Sequence, residues 1–418
     1  MNFSKLTATT AAVILLSTSA LSYGAENNAN GFKLFSNSLL YLQFRPRYEY
    51  ADTEGLLNKK HAEALTSRTV LGGKFGGVLG VKGLKANLEA TNVSHFGMLD
   101  DYSPEDSQYQ TIADPTQTRI TQANIEYTIA NTTLIAGRKL FFLDNHRFIG
   151  HVGWRQMPQT YDMIGVINKS VPNLTVIGGY ISRVNRIFEG TASKLDTNSA
   201  ILHVNYAFAP VFNLTGYGYM IANVHDTFGL RATGGMKFPG AKVSYEAEYA
   251  SQNKPSLEEG DKNLFGMGDE TPDVEAQYQK LGVKVNASGL IAGVAYEVLG
   301  KEKGAAGTGA FSTPLATLHG MNGWADRFLA TPVDGLVDTS LTLGYVDKSI
   351  GRLIAIYHVF ESDKDRKDYG DELDLIYAKK LSKSLNLIAK TALYNEGQDW
   401  KIGDTTKYWL TLDYKFSQ

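Results

Sequence analysis

The 418-residue chain has no cysteine, and beyond residue 25 it has no apolar run of the roughly 20 residues that a membrane-spanning helix needs. No disulfide framework can hold the fold together. The 41 basic and 43 acidic residues leave a net charge of −2, so no basic excess points to nucleic acid as a partner. The sequence lacks a Gly-x-Ser-x-Gly elbow, a Walker loop and a His-Glu-x-x-His motif. We therefore predict no enzymatic activity, no cofactor and no metal site.

Residues 1–25 have the features of a secretory signal peptide. Lys5 supplies the charged head, residues 11–16 form an apolar core, and small residues follow up to Ala25. A retained membrane anchor is the alternative, but the core is too short to cross a bilayer as a helix. We expect residues 26–418 to form one domain outside the cytoplasm.

The C-terminal segment alternates without a break. One face carries Tyr408, Leu410, Leu412, Tyr414 and Phe416, and the other carries Lys407, Trp409, Thr411, Asp413 and Lys415. A last strand of this kind, with an aromatic residue near its end, is typical of bacterial outer-membrane β-barrels. The mean hydropathy of −0.20 agrees, because lipid-facing residues alternate with lumen residues in such barrels.

The same alternation recurs in about 18 segments of near ten residues, the length of a tilted membrane strand. Very short connections, such as Asn131, Pro239-Gly240 and Ser288-Gly289, alternate with long ones, such as 94–118, 140–158 and 302–335. The pattern predicts an all-β transmembrane antiparallel barrel with short periplasmic turns and long extracellular loops. In this scheme 302–335 is a long external loop.

Charged residues within these segments are expected to face the lumen, because a lipid-facing charge costs about 2–4 kcal/mol at the membrane midplane. The predicted lumen residues are Arg45, Arg47, Glu49, Arg68, Lys74, Lys85, Glu126, Arg138, Asp162, Arg183, Arg231 and Lys237. Around Arg138 and Arg183 both faces are apolar, so alternation alone does not fix their direction. A cationic lumen favours anions. For any single residue, a solvated face with ordinary ion pairs is the simpler interpretation.

Two long connections are too aromatic for exposed loop tips. In 140–158 the aromatic residues predict a loop that folds into the barrel and narrows it. Its candidate constriction residues are Asp144, Arg147, Trp154, Arg155 and Gln156. The connection 302–335, with Trp324, Asp326 and Arg327, is expected to be an external loop that serves as a lid or as a second inward plug.

Both connections carry motifs of a known family. The motifs are Gly137-Arg138, Arg147–Gly150, Val152–Gln156, Gln159–Asp162, Thr313–Thr317 and Gly323–Leu329. In these the chain resembles the alginate-export family of outer-membrane barrels, which includes porin-like members. The resemblance implies a barrel of 18 strands with a charged pore and leaves the solute open. The chain departs from a gated exporter in its minimal late turns, such as Ser382-Lys383, and Ser417-Gln418 follow the terminal aromatic residue.

The sequence therefore predicts a porin in the outer membrane of a Gram-negative bacterium. We expect passive diffusion of small hydrophilic solutes with a mild preference for anions. The alternative is a dedicated exporter of an anionic polysaccharide such as alginate, and a plugged structural or adhesive barrel is a third hypothesis. The expected partners are outer-membrane lipid, lipopolysaccharide, the barrel-assembly machinery and small solutes.

Overall fold

Eighteen strands form one antiparallel sheet that closes on itself where the first strand pairs with the last. The computed structural model describes residues 34–56, 59–209, 211–257, 275–303 and 309–418. The predicted signal peptide, 1–25, lies outside these ranges. The prediction of an 18-stranded antiparallel barrel is confirmed.

The strands follow one another around the barrel in chain order. They are β1 (Asn37–Thr53), β2 (Ala62–Gly76), β3 (Leu84–Asp101), β4 (Gln117–Ile129), β5 (Thr132–Lys139), β6 (Thr160–Asn168), β7 (Leu174–Asn185), β8 (Lys194–Ala209), β9 (Phe212–Ile221), β10 (His225–Phe238), β11 (Ala241–Asn253), β12 (Ala276–Ala287), β13 (Leu290–Leu299), β14 (Leu336–Asp347), β15 (Gly351–Glu361), β16 (Asp368–Lys380), β17 (Leu385–Glu396) and β18 (Thr405–Ser417). Among the described residues, none belongs to a helix with the length and apolarity that a membrane crossing requires.

Large apolar side chains cover the outer face of the wall. Leu281, Leu343 and Leu410 have 60%, 54% and 51% of their surface exposed. Phe238 and Phe416, near the ends of the strands that the short turns join, are also exposed and suit an aromatic girdle. An outer surface of this kind is stable against lipid and unstable against water, so the barrel spans a membrane.

Left-handed backbone conformations produce the short turns. Asn131 has a φ of 65° and Ser288-Gly289 have φ values of 50° and 89°. Asparagine and glycine reach this region at low cost, which allows a reversal within two residues. These turns lie at one end of the barrel, the periplasmic end, and the long connections lie at the other.

Pro46 does not distort β1, although a bulge would be expected at a proline within a strand. The pairing of β1 with β2 keeps one register through Pro46 opposite Ser67. The bulge expected at Pro46 is therefore absent. Irregular register occurs instead in β7, between Ile181 and Arg183, and this bulge affects which residues face outward.

We predict that Leu343→Lys lowers the free energy of unfolding by roughly 2–4 kcal/mol, because the charge would face lipid. Urea unfolding from lipid vesicles, followed by tryptophan fluorescence, measures the change. The control is Thr342→Lys, one residue away on the inner face, which should change the stability by much less. Equal effects of the two substitutions would contradict the assignment of faces in β14.

Candidate pore constriction

The register of the strands determines which charged side chains point inward. In β1, Phe44 is exposed on the outer face, so its neighbour Arg45 faces the lumen. The same alternation, followed from strand to strand through the register, places nine of the predicted lumen residues on the inner face. They are Arg45, Arg47, Glu49, Arg68, Lys74, Lys85, Glu126, Arg231 and Lys237.

Arg138, Asp162 and Arg183 lie on the outer face, so their prediction as lumen residues is wrong. Pairing places Asp162 opposite both arginines. Tyr161 and Met163, on either side of Asp162, are buried inside the barrel with exposures of 0% and 4%. Asp162 therefore faces outward, and the arginines opposite it do too. Because both faces of these strands carry apolar residues, the sequence does not show whether the three charged side chains face the lumen or the lipid. The bulge in β7 also changes the alternation just before Arg183.

Residues 140–158, the constriction loop, leave the wall after β5 and lie inside the barrel. Phe141 and Ile149 are buried, with exposures of 6% and 1%. They belong to a hydrophobic cluster with the inward side chains Tyr161 and Tyr217. The loop thus folds inward as its aromatic content predicts, because only the lumen side of the wall offers these side chains cover.

The predicted external loop at 302–335 also lies inside the barrel over the part that we name the second inner loop, residues 309–335. Residues 304–308 lie outside the described residues. Phe311, Leu315 and Phe328 are buried, and the ring of Phe328 lies 4.5 Å from that of Phe360 in β15. The connection joins β13 and β14 at the end of the barrel that carries the long connections, and of its two suggested roles the inward plug agrees with the structure.

Main-chain hydrogen bonds join the two inner loops. Gly150 N donates to Leu315 O at 2.8 Å, and Thr317 N donates to His146 O at 3.0 Å. The approach is close enough that a Cβ on Gly150 would lie 2.4 Å from Oγ1 of Thr317. Only glycine fits at residue 150 without moving the partner loop.

Two arginines of β1 hold the constriction loop by its carbonyl oxygens. Arg45 donates to Gly153 O at 3.0 Å, Arg155 O at 2.7 Å and Gln156 Oε1 at 3.0 Å. Arg47 donates to Trp154 O at 2.7 Å, and its guanidinium lies 4.0 Å from the centre of the Trp154 ring. Both arginines face inward, yet they are buried against the loop instead of lining open water.

Acidic side chains complete the attachment of the constriction loop. Arg155 pairs with Glu49 of the wall at 2.9 Å and with Asp326 of the second inner loop at 3.2 Å. Asp114, from the connection between β3 and β4, accepts from Gln156 N at 2.6 Å and lies 3.7 Å from Arg47. Asp114 is buried, and nothing in the sequence around it distinguishes it from other loop acids. In the described residues, no group of three or more His, Cys, Asp or Glu is placed to hold a metal ion.

The other predicted residues of the constriction loop contact the wall opposite β1. Arg147 pairs with Glu297 of β13 at 3.2 Å and donates to Asn322 Oδ1 at 3.0 Å. Asp144 lies 3.0 Å from His203 in β8 and 3.5 Å from Arg231 in β10. Charged contacts thus tie the loop to both sides of the barrel.

The second inner loop is attached to β17 and β18. Asp326 accepts from Lys407 Nζ at 2.9 Å and pairs with His319 at 2.8 Å. Although burial acts to raise it, the pKa of Asp326 is held well below its ordinary value by Lys407, His319 and Arg155. Arg327 donates to Ile402 O. The predicted residues Asp326 and Arg327 are therefore internal attachments and not parts of an external surface.

Lys390 of β17 sits in an aromatic cage that both inner loops share. Its Nζ lies 3.9 Å from the ring centre of Trp154, 3.7 Å from that of Trp324 and 5.1 Å from that of Trp409. It also lies 2.8 Å from His319 Nε2. A cation over several aromatic faces is stabilised by their quadrupoles. The alternation pattern indicates that Lys390 faces inward, but no sequence pattern identifies its partners.

The lumen below the loops, toward the periplasm, has a different character. A cavity of about 1020 Å³ lies against β1–β5 and is bordered by Tyr41, Lys74, Lys85 and Lys139. Seven inward cations at this end are exposed and, among the described residues, pair with no carboxylate: Lys74, Lys85, Lys237, Lys242, Lys284, Arg352 and Lys380. Glu126 and Glu246, in the same region, are already paired with lysines. The periplasmic lumen is therefore open and positively charged.

We predict that Arg45→Met releases the constriction loop and gives a larger, noisier single-channel current. The substitution leaves Gly153 O and Arg155 O without their donor, at a cost of roughly 1–3 kcal/mol for each unsatisfied group. Planar-bilayer recording measures the current. The control is Arg68→Met, which removes the opposite inward charge but no hydrogen bond to the loop. Indistinguishable currents in the two variants would contradict the role of Arg45 as an anchor.

We predict that acidification loosens the constriction loop. Burial, helped by the neighbouring His146, lowers the pKa of His151 to about 4. Since this pKa is below the usual value near 6.5, the docked loop binds fewer protons. The contribution to docking is complete above about pH 6.5 and declines as the pH falls toward 4. The single-channel current should become larger and noisier over that range, as it should when Arg45→Met releases the loop.

His151→Phe should remove this pH dependence, because the ring beside His146 can no longer gain a proton. His61→Phe changes an exposed histidine far from the loop and should leave the pH profile as in the original chain. A His151→Phe channel that keeps the full acid response would contradict the assignment.

Comparisons with known proteins identify the fold. No family model matches the chain, and no curated protein matches it. Several solved structures do match the chain in fold. OccAB2 of Acinetobacter baumannii is 16% identical, covers 93% of this chain and 99% of its own, and has a TM-score of 0.71. OccK9 (OpdG) of Pseudomonas aeruginosa is 16% identical over 92% of this chain and 100% of its own, with a TM-score of 0.71.

OpdK of Pseudomonas aeruginosa, solved with vanillate, is 11% identical over 93% of this chain and 100% of its own, with a TM-score of 0.71. These comparisons show the barrel fold and do not support the alginate-export resemblance. The 18-stranded closed barrel and its lipid-facing surface locate the chain in the outer membrane of a Gram-negative bacterium.

Proposed function

We propose that the chain is a porin through which small hydrophilic solutes diffuse passively across the outer membrane, with a mild preference for anions. The observation that carries the proposal is the set of seven exposed lumen cations that, among the described residues, have no acidic partner at the periplasmic end. A pore whose fixed charges are mainly positive concentrates anions and excludes cations.

The charges at mid-height do not oppose this preference. Three of the acids there, Glu49, Asp114 and Asp326, are buried in pairs with cations of the wall or the loops. Paired and covered charges contribute little field to the solute path. The unpaired lysines below therefore determine the selectivity of the pore.

The size of the solute follows from the two inner loops. They occupy the middle of the barrel, so we infer that solutes pass between the loops and the wall and are small. A structure of OpdK with vanillate, an aromatic carboxylate, supports a small anion as the kind of solute. Export of an anionic polysaccharide such as alginate is not favoured, because the inner loops reduce the free width of the lumen.

We further propose that lipid and lipopolysaccharide surround the outer belt, and that the barrel-assembly machinery recognises the last strand. In β18 the apolar face ends at Phe416, which is exposed outward. The alternating pattern of β18 supports this role, although Ser417 and Gln418 follow the aromatic residue.

We predict stable open steps in planar bilayers and a reversal potential, under a salt gradient, that favours anions. The double variant Lys74→Gln with Lys85→Gln should move the reversal potential toward zero selectivity, because it removes two neighbouring lumen charges. The control is Lys194→Gln with Lys364→Gln, which removes the same charge from exposed extracellular positions. It should leave the selectivity unchanged.

Three results would contradict parts of the proposal. Folded protein without conductance would favour a plugged structural barrel. Cation preference would refute the anion selectivity while keeping the porin. Block of the current by alginate oligomers, but not by acetate, would favour the exporter.

A further inference from the structure

Seven cationic side chains of the described residues are buried at the height of the inner loops. They are Arg45, Arg47, Arg68, Arg147, Arg155, Lys390 and Lys407. Six of them have partners, which are carboxylates, main-chain oxygens or, for Lys390, an aromatic cage and His319. Arg68, with 8% of its surface exposed, is the exception. Within the described part of the chain it has no hydrogen bond and no ion pair.

Arg68 lies on the inner face of β2, directly opposite Arg45 of β1. Like charges that face each other across two strands destabilise a sheet, and a buried charge without a partner is costly. The Nε of Arg68 is enclosed by protein, whereas its two terminal nitrogens, which also have no partner, keep some contact with the lumen. The side chain therefore presents a free guanidinium edge to the lumen, beside the part of the constriction loop that Arg45 holds.

The inward acids on the neighbouring strands are bound elsewhere. Glu89 of β3 accepts three hydrogen bonds of 2.7, 2.7 and 2.9 Å from neutral side chains. Asp413 of β18 accepts from Gln43 at 2.6 Å and pairs with Lys415 at 3.0 Å. Arg45 itself donates to carbonyl and amide oxygens, which carry no formal charge. No described carboxylate therefore neutralises the positive charge that Arg45 and Arg68 bring to this place.

We propose that Arg68 binds a small inorganic anion of the size of chloride, which enters from the lumen and lies at the free guanidinium edge. Hydrogen bonds in which both partners are charged are the stronger ones, so the ion would supply the missing partner. The small exposed fraction of Arg68 favours a monatomic ion over the body of a solute. The site is buried and separate from the seven exposed cations near the periplasm, so it does not depend on the proposed function.

Bromide replaces chloride at such sites and can be located directly by its anomalous scattering. Crystals of the complete barrel grown in sodium bromide should show an anomalous peak in contact with the terminal nitrogens of Arg68. Crystals of Arg68→Met should lose this peak, and crystals of Lys237→Met, which lacks an exposed lumen cation away from β2, should keep it. Absence of a peak at Arg68 in the parent chain would overturn the proposal.

Excess acetate tells a resident ion from the carboxylate group of a solute, because both carry one negative charge. A bromide peak that persists in acetate supports a resident inorganic ion. A peak that acetate displaces would overturn this assignment and would show that Arg68 takes the carboxylate of a passing solute instead.

Urea unfolding from lipid vesicles tests the site in solution, at constant ionic strength, with chloride gradually replacing a bulky organic sulfonate. An ion that binds only the folded barrel stabilises it, so the urea midpoint of the parent chain should rise with chloride concentration. Arg68→Met should lose this rise and, without chloride, should be more stable than the parent, because it lacks the unpaired buried charge. Lys237→Met should show the same rise as the parent.

A purely structural role of Arg68 predicts a different result. The side chain would then contribute packing alone, and Arg68→Met would be less stable than the parent at every chloride concentration, with the same dependence on chloride. That outcome would refute the anion site, whatever the conductance of the barrel.

Discussion

The guanidinium groups of Arg45 and Arg47 determine the inside of this barrel, because they donate to main-chain oxygens of a loop more than 100 residues later in the chain. A loop inside a barrel must find partners for its polar backbone groups, and most of the wall is occupied with its own ladder. Arginine offers five donors in a fixed geometry, so two side chains can serve several carbonyl groups at once. The position of the constriction follows from the first strand.

The sequence predicts the strands of the barrel wall better than it predicts the contacts inside the barrel. An alternation of period two predicts about 18 strands, and the structure has 18 in one closed sheet. The inward direction of Arg45 and Lys390 follows from the same rule. Their burial does not, because whether an inward residue meets water or a loop depends on contacts between distant segments. The direction of Arg138 does not follow from the sequence for another reason: the rule that charges avoid lipid fails where a charge has a partner beside it, as Arg138 has in Asp162.

The charged side chains of the lumen form two layers at different heights along the barrel axis. At mid-height, the pair of Arg155 with Glu49 is buried and fixes the constriction loop to the wall, while pairs such as Arg231 with Glu248 join neighbouring strands of the wall. Toward the periplasm, Lys284 and Arg352 remain exposed and are available to a passing solute. The same residue types thus serve attachment in one layer and, in the function that we propose, selectivity in another. Counting lumen charges from the sequence mixes the two layers: Lys74, Lys85 and Lys237 are predicted together with Arg45 and Arg47, and the sequence does not separate the exposed cations from the buried ones.

The hydrogen bonds between Gly150 and Leu315 and between Thr317 and His146 make the two inner loops a single mechanical body. Each loop has its own attachments to the wall, yet neither can retract without breaking the backbone bonds to the other. Conductance changes in this barrel should therefore be concerted steps between few levels, not a graded widening. A sequence change in one loop is also constrained by the other, so the two segments can diversify only as a matched pair.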